Sequence, residues 1–219
     1  DGVFRIMKVA VLNDTHCGIR NSSEIFLENS ERFFSEIFFP YCKENGIEQI
    51  LHLGDYYDHR KFVNFKALNH NRKVFLDPLR KYGMKMDIIP GNHDTGWSES
   101  GGLGFVQTFG ADRFSFNFQG IQFIGCASGP YVRMSDGHVP RDAVNWLDRE
   151  FGSLADTTPI IMFNHYPFDN SLDNWYEITD RIRQKNTWLA ICGHGHANRK
   201  MDFEGIPGVM GRSNLRAKA

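Results

Sequence analysis

Five short apolar runs in this 219-residue chain each end on a small polar cluster built from Asp, Asn, His and Gly. Residues 6–12 lead into Asn13-Asp14-Thr15-His16, and residues 49–53 into Gly54-Asp55-Tyr56-Tyr57-Asp58. Residues 84–89 lead into Pro90-Gly91-Asn92-His93-Asp94, residues 160–163 into Asn164-His165, and residues 188–191 into Cys192-Gly193-His194-Gly195-His196. Apolar runs of this length, bounded by turn-forming residues, read as buried strands. Between the first three runs lie helix-patterned stretches. Ile25, Phe26, Phe33, Phe34, Ile37, Phe38 and Tyr41 follow a capping signal at Asn21-Ser22-Ser23-Glu24 at helical spacing. That helix is expected to be kinked or interrupted at Pro40 and to stop at Gly46. A second helix, over 64–82, breaks near Pro78 and stops at Gly83. Alternating strands and helices predict a parallel α/β sheet. In such sheets ligands bind beyond the carboxyl ends of the strands. The five clusters are therefore expected to share one edge.

The second half of the chain changes character. Phe114, Phe116 and Phe118 alternate with polar residues and are followed by Gly120 and a run over 121–124, which predicts an antiparallel hairpin. Residues 141–154 read as a helix with Val144, Leu147 and Phe151 on one face, and residues 172–184 as another. Residues 201–210 supply a last strand or hairpin. With 41% hydrophobic residues the chain can bury a full core, so residues 1–219 are expected to form one domain. The four cysteines (Cys17, Cys42, Cys126, Cys192) are scattered, which reads as reduced thiols of an intracellular, cytoplasmic protein rather than a disulfide framework. No apolar run reaches the roughly 18 residues that span a bilayer, so no membrane partner is expected. A net charge of −1 gives no global attraction to nucleic acid. Locally, six Glu lie between Asn21 and Glu48, and eight Lys or Arg between His59 and Lys85. Such blocks read as solvated helix faces, or else as a basic wall that receives a phosphate-rich substrate.

Taken singly, several clusters have ordinary structural readings. Asp14-x-His16 or Gly54-Asp55 is a common turn, and a lone strand-end His165 is usually a satisfied core residue. Gly91-Asn92-His93-Asp94 and Gly193-His194-Gly195-His196 are sharper, because Asn-His or alternate His residues on flexible segments have little packing value. Together they mix carboxylate, amide carbonyl and imidazole, a donor set that suits divalent transition ions.

The ordered motifs D-x-H, G-D-x-x-D, G-N-H-D, a lone His and G-H-x-H, spread over residues 14–196, resemble those of the calcineurin-like metallophosphoesterases. The resemblance implies a four-layer α/β/β/α sandwich and two divalent metal ions as cofactors, manganese first, with iron or zinc as alternatives. By matching positions, Asp14, His16, Asp55 and His196 would hold one ion, and Asp55, Asn92, His165 and His194 the other. His93 would be the catalytic acid, oriented by Asp58, with Asp94 behind them. The implied substrate is a phosphoester. Two ions about 3.5–4 Å apart can share a hydroxide that attacks phosphorus in line, with protonated His93 stabilising the leaving oxygen.

The stretch from Leu51 to Lys61 and the run Asp87–Asp94 resemble phage recombination endonuclease subunits and SbcD-type nucleases. From Gly96 onward, with Trp146-Leu147 and His165-Tyr166-Pro167, the chain resembles bacterial calcineurin-like phosphatases. A phosphodiesterase is thus the leading expectation, a DNA nuclease or phosphomonoesterase the alternative, and a catalytically weak scaffold of the same fold the remote one. Nucleic acid is a candidate partner; the oligomeric state is left open. Among the remaining residues His138, Tyr131 and Arg133 are candidate substrate contacts, though a solvent-exposed loop is the simpler reading. His52 is expected in the core, His59 and His70 at the surface, and Cys17 as a small buried filler. Trp175 and Tyr176 could lid the site, with helix packing as the default.

Overall fold

A computed structural model of the chain describes residues 8–97, 99–130 and 135–213. The first half runs β1 (Val9–Leu12), α1 (Ile19–Ser22), α2 (Glu24–Arg32), α3 (Phe39–Glu44), β2 (Gln49–His52), α4 (Phe65–Asn71), α5 (Asp77–Lys81), β3 (Lys85–Ile88) and α6 (Asn92–Thr95). The second runs α7 (Leu103–Phe109), β4 (Phe114–Phe118), β5 (Ile121–Gly125), α8 (Arg141–Ser153), β6 (Ile160–Asn164), α9 (Trp175–Ile182), β7 (Thr187–Cys192), β8 (Arg199–Phe203) and β9 (Ile206–Met210). The expected first strand began at residue 6; residues before Lys8 lie outside the described ones.

The strands form two sheets. The first is parallel, in the order β1-β2-β3. The second is mixed, in the order β4-β5-β6-β7-β9-β8, with antiparallel hairpins β4-β5 and β8-β9 at its edges. The turn of the first hairpin puts both Gln119 and Gly120 at positive φ (52° and 83°), the twist that two-residue hairpins favour. Register levels the strand ends. Leu12 pairs with His52 and His52 with Ile88 in one sheet, and Asn164 with Cys192 in the other. Within each sheet the polar clusters that follow therefore start level with one another.

Because successive side chains of a strand point to opposite faces, the two sheets define three apolar layers. Ile50, Leu12 and Ile88 pack outward against Phe34, Phe38, Phe39 and Phe75 from the helical segments between β1 and β3. Leu51, Leu53 and Ile89 pack inward against Phe114, Phe123 and Phe163 of the second sheet. Ile160, Met162 and Ala190 face Val144, Leu147 and Phe151 of α8 and Ile178 and Ile182 of α9. This is the four-layer α/β/β/α sandwich. Among the described residues no helix is long and apolar enough to cross a membrane.

Pro40 and Pro78 do not break their helices. A proline has no N–H for a helical bond, and its ring clashes with the carbonyl four residues back. Each helix meets this by widening one turn. Residues Phe33–Phe38 and Arg72–Leu76 are π-helical, and the residue before each proline donates five residues back, Phe39 N–H to Phe34 O and Asp77 N–H to Arg72 O. The chain thus stays helical from Glu24 to Glu44 and from Phe65 to Lys81. The expected capping signal also takes another form. Ser23 is the N-cap of α2 but makes no side-chain cap bond. Before it, Arg20, Asn21 and Ser22 of α1 have φ of 51°, 56° and 58°, a left-handed turn. Ser22 Oγ then donates to Asn64 Oδ1, which itself caps α4 by accepting Ala67 N–H.

The acidic and basic blocks face each other in part. Lys66 pairs with Glu24 at 2.5 Å and Lys73 with Glu31 at 2.9 Å, all four exposed. Exposed pairs of this kind add little stability, about 0–1 kcal/mol each. The inter-sheet layer matters more. Truncating Phe163, 1% exposed between the two sheets, by Phe163→Ala should cost about 3–5 kcal/mol in denaturant unfolding. Ile37→Ala, at a residue 60% exposed, should stay within about 0.5 kcal/mol of the parent; equal losses at both positions would refute the layer assignment.

Candidate metal centre

Each candidate ligand sits one to four residues past a levelled strand end. Asp14 and His16 follow β1, Asp55 follows β2, Asn92 and His93 open α6 after β3, His165 follows β6, and His194 and His196 follow β7. To turn these short side chains toward one point the backbone bends sharply. Asp14, His16, Asp55, His194 and His196 all have positive φ, between 43° and 66°. Asp, Asn and His tolerate that region better than most residues, yet it still stores about 1–3 kcal/mol each. The glycines make room. A Cβ on Gly91 would lie 2.3 Å from Asp55 Oδ1 and 2.8 Å from His165 Cε1, and one on Gly54, at φ +95°, 2.3 Å from Gly91 N.

The result is one cluster with two lobes. In the first, Asp14, His16, Asp55 and His196 bring one donor atom each within 4.8 Å of one another, the geometry of a candidate metal site. His196 Nε2 lies 3.2 Å from Asp14 Oδ1 and 3.2 Å from His16 Nε2, and His16 Nε2 lies 3.5 Å from Asp55 Oδ2. Asp14 Oδ1 is buried with no hydrogen-bond partner, an arrangement a cation would relieve. In the second lobe His165 Nε2 lies 3.5 Å from Asp55 Oδ2 and 3.0 Å from Asn92 Oδ1, and His194 Nδ1 lies 3.0 Å from the same Asn92 oxygen. His165 Nδ1 lies 2.8 Å from Leu53 O. Donation there fixes the tautomer and leaves Nε2 as a lone pair.

Electrostatics follow the geometry. Burial works to raise the Asp14 carboxyl, but the neighbouring His196 and His165 and the Asn13 amide prevail and hold it well below the usual range. Burial pushes His16 down, yet the Asp58 hydrogen bond and the charges of Asp55 and Asp14 raise it overall. His194 is driven down to about 4, first by burial and then by His165. Asp94 is pushed up to about 7 by burial and the nearby Asp55 charge. Its carboxylate accepts Gly91 N–H at 2.9 Å and Tyr56 N–H at 3.2 Å, which ties the β2 and β3 loops together.

Asp58 and His93 meet differently from the expectation. His93 Nδ1 bonds the backbone carbonyl of Asp58, while the Asp58 carboxylate stays 4.0 Å away and instead lies 3.3 Å from His16 Nδ1. On the other side His93 Nε2 meets Arg60 Nη2 at 3.2 Å. Burial lowers the His93 pKa, and the Asp55 charge offsets this only in part. The carboxylate expected to keep it charged serves His16.

Sequence reasoning passed over four contributors. Asn13 donates Nδ2–H to Asp14 Oδ2 at 2.5 Å and to Gly211 O, and Ser213 Oγ donates to Asp14 O at 2.8 Å. Arg60 reaches His93, and Tyr166 stacks on His194 with ring centroids 4.1 Å apart. Asn13, Tyr166 and Arg60 carried a signal, each lying within two residues of a motif residue, whereas Ser213 carried none. The other candidates lie elsewhere. His138 pairs with Asp173 at 2.7 Å, and Tyr131 and Arg133 lie outside the described residues. His52 is fully buried and driven down to about 3 by that burial, and Trp175 packs on the α8–α9 core, whereas Tyr176 is exposed. Burial holds the Cys17 thiol up at about 12, its Sγ donates to Ala67 O, and all four cysteines are free. His59 is exposed as expected, but His70 is half-buried.

The sequence profile of the calcineurin-like phosphoesterases matches residues 7–203. The chain belongs to that family. It is 24% identical over 178 residues to the uncharacterized protein YvnB of Bacillus subtilis, covering 73% of this chain and 13% of that one. It is 30% identical over 88 residues to exonuclease subunit 1 of Enterobacteria phage T4, covering 40% of this chain and 25% of that one. The chain thus spans a quarter or less of these curated relatives. In fold it is similar to a dimetal phosphatase from Danio rerio, with a TM-score of 0.67, 11% identity and coverage of 97% of this chain and 89% of that one.

The Gly91 contacts give a direct check. Gly91→Ala should weaken Mn²⁺ binding, measured by calorimetry, by at least about tenfold while far-UV circular dichroism stays unchanged. Parent-like affinity would mean that the Gly91 approach is not needed to hold the cluster.

Proposed function

We propose that the chain hydrolyses phosphodiesters at a two-metal centre. The reading is carried by the convergence of seven donors from five strand ends around the Asp55 carboxylate, with His93 at the side that opens on a cavity of about 720 Å³. The buried, unpartnered Asp14 Oδ1 and the facing imidazoles suit divalent ions. Asp14, His16, Asp55 and His196 would hold one, and Asp55, Asn92, His165 and His194 the other. Bound there, such ions lower the pKa of water toward roughly 7 and polarise phosphoryl oxygens.

The protein's own groups do the rest. Asp55 Oδ1 accepts His93 N–H at 2.7 Å, which fixes the catalytic ring relative to the cluster. The bond from His93 Nδ1 to the Asp58 carbonyl leaves Nε2 facing the cavity beside Arg60. When protonated, His93 can pass its Nε2 proton to the departing ester oxygen and leave the cycle neutral, while the Arg60 guanidinium carries permanent positive charge next to it. A single Arg on this side suits the one negative charge of a diester better than the two of a monoester. The similarity to the T4 exonuclease subunit, together with Arg60 and Lys61 on the cavity wall, favours a nucleic-acid diester as a second reading.

After Mn²⁺ incubation, mass spectrometry should find close to two ions per chain; none would remove the two-metal reading. The loaded protein should cleave bis-p-nitrophenyl phosphate faster than p-nitrophenyl phosphate, and exclusive monoester hydrolysis would contradict the diester assignment. His93→Ala should keep both ions yet lower kcat by about 10²–10⁴, and an unchanged kcat would take His93 out of the reaction. Cleavage of single-stranded DNA under the same conditions decides the second reading.

A further inference from the structure

The cavity that begins at His93 does not end there. It runs between the loop after β2, α4, the loop after α6 and α7, and aromatic side chains recur along its walls. Phe62 and Trp97 stand at its mouth, and Phe105 and Phe109 line its floor. Phe62 is 58% exposed, although an apolar ring of that size gains by burial. Its ring lies against His59 with centroids 3.7 Å apart, and Lys61 Nζ lies 5.4 Å over the Trp97 ring. The two cations nearest the mouth, Arg60 and Lys61, lie two and three residues after Asp58 in sequence. Ser100, Thr108 and Glu99 interrupt the aromatic wall with hydrogen-bonding groups.

We infer that this cavity is the leaving-group subsite and that it takes a nucleoside, with the base against the aromatic wall. The inference rests on the diester reading above and names its substrate class. Three observations carry it. Continuity comes first: His93, whose Nε2 faces Arg60, lines the same cavity, so the group that departs from phosphorus on the His93 side enters it. Charge comes second, since Arg60 and Lys61 at the mouth complement an anionic phosphoryl group. The wall comes third. Exposed rings interleaved with cations are the pattern on which bases stack. Ser100 Oγ accepts the Gly104 N–H at 3.1 Å and Thr108 Oγ1 donates to the Gly104 carbonyl at 2.8 Å, so the rings and the cations define the wall. A cavity of this size lies within the range that holds a small-molecule ligand.

The test compares binding with and without the base. The probes are the non-hydrolysable methylenephosphonate analogues of adenosine 5′-monophosphate and of ribose 5-phosphate, titrated by calorimetry into the Mn²⁺-loaded protein. Both carry the same phosphonate and sugar, so their ratio reads the base alone. The adenosine analogue should bind about tenfold tighter. In Trp97→Ala and Phe62→Ala that ratio should fall below about threefold, while the ribose analogue still binds and so reports an intact site. Equal affinity of the two analogues for the parent protein would overturn the subsite, as would a ratio that survives both substitutions. Failure to take up Mn²⁺ sinks the diester reading alone. Adenosine and ribose, which need no metal, then make the same comparison, and equal binding of these two overturns the subsite. A five-nucleotide single strand distinguishes the source of the nucleoside: at least tenfold tighter binding than a dinucleotide assigns a strand, and no tightening assigns a nucleotide-sized ester.

Discussion

The Asp55 carboxylate is the point at which the two sheets are held to one geometry. One oxygen accepts the amide of His93, which follows β3 in the same sheet. The other lies 3.5 Å from His16, after β1, and 3.5 Å from His165, which belongs to the other sheet. A buried carboxylate is tolerable only with partners, so these contacts are conditions of its burial as much as a binding arrangement. The levelled strand ends supply those partners from both sheets. The inter-sheet layer of Leu51, Leu53, Phe123 and Phe163 keeps the sheets at the spacing that lets His165 reach across.

Much of this was legible in the chain. Each polar cluster follows an apolar run, and the rule that strand ends converge turns sequence order into a spatial cluster without knowledge of the packing. The alternation of Ile50 with Leu51, or Met162 with Phe163, already implied sheets covered on both faces. What was not legible depended on backbone detail. Pro40 and Pro78 read as breaks because a regular α-turn cannot absorb a proline, but a single π-turn can, and no residue type announces one. Asn21-Ser22-Ser23 read as a cap because these residues cap helices often; here a left-handed turn over residues 20–22 directs Ser22 to Asn64 instead.

The site shows the same division. Asp58 stood in the right motif, but whether its carboxylate or its carbonyl meets His93 is decided by the rotation of one peptide. Ser213 was invisible for a different reason: it holds Asp14 from a sequence separation of 199, and nothing in its local pattern refers to that contact. The basic segment from His59 to Lys85 looked uniform and is not. In its helical part Lys66 and Lys73 pair with the acidic helix, while Arg60 and Lys61, in the loop, remain at the cavity wall.

Five of the seven candidate ligands adopt backbone angles that a glycine or asparagine would hold with less strain. Selection for stability alone would therefore drift these positions toward glycine, and the chain would fold more readily for it while losing the donors. The centre thus draws on stability generated in the aromatic layers. A variant with a thinner core would reach the limit of tolerable strain first at Asp14, Asp55 and the His194–His196 loop. Homologues that have given up the chemistry are expected to relax at these same turns before any layer of the sandwich changes.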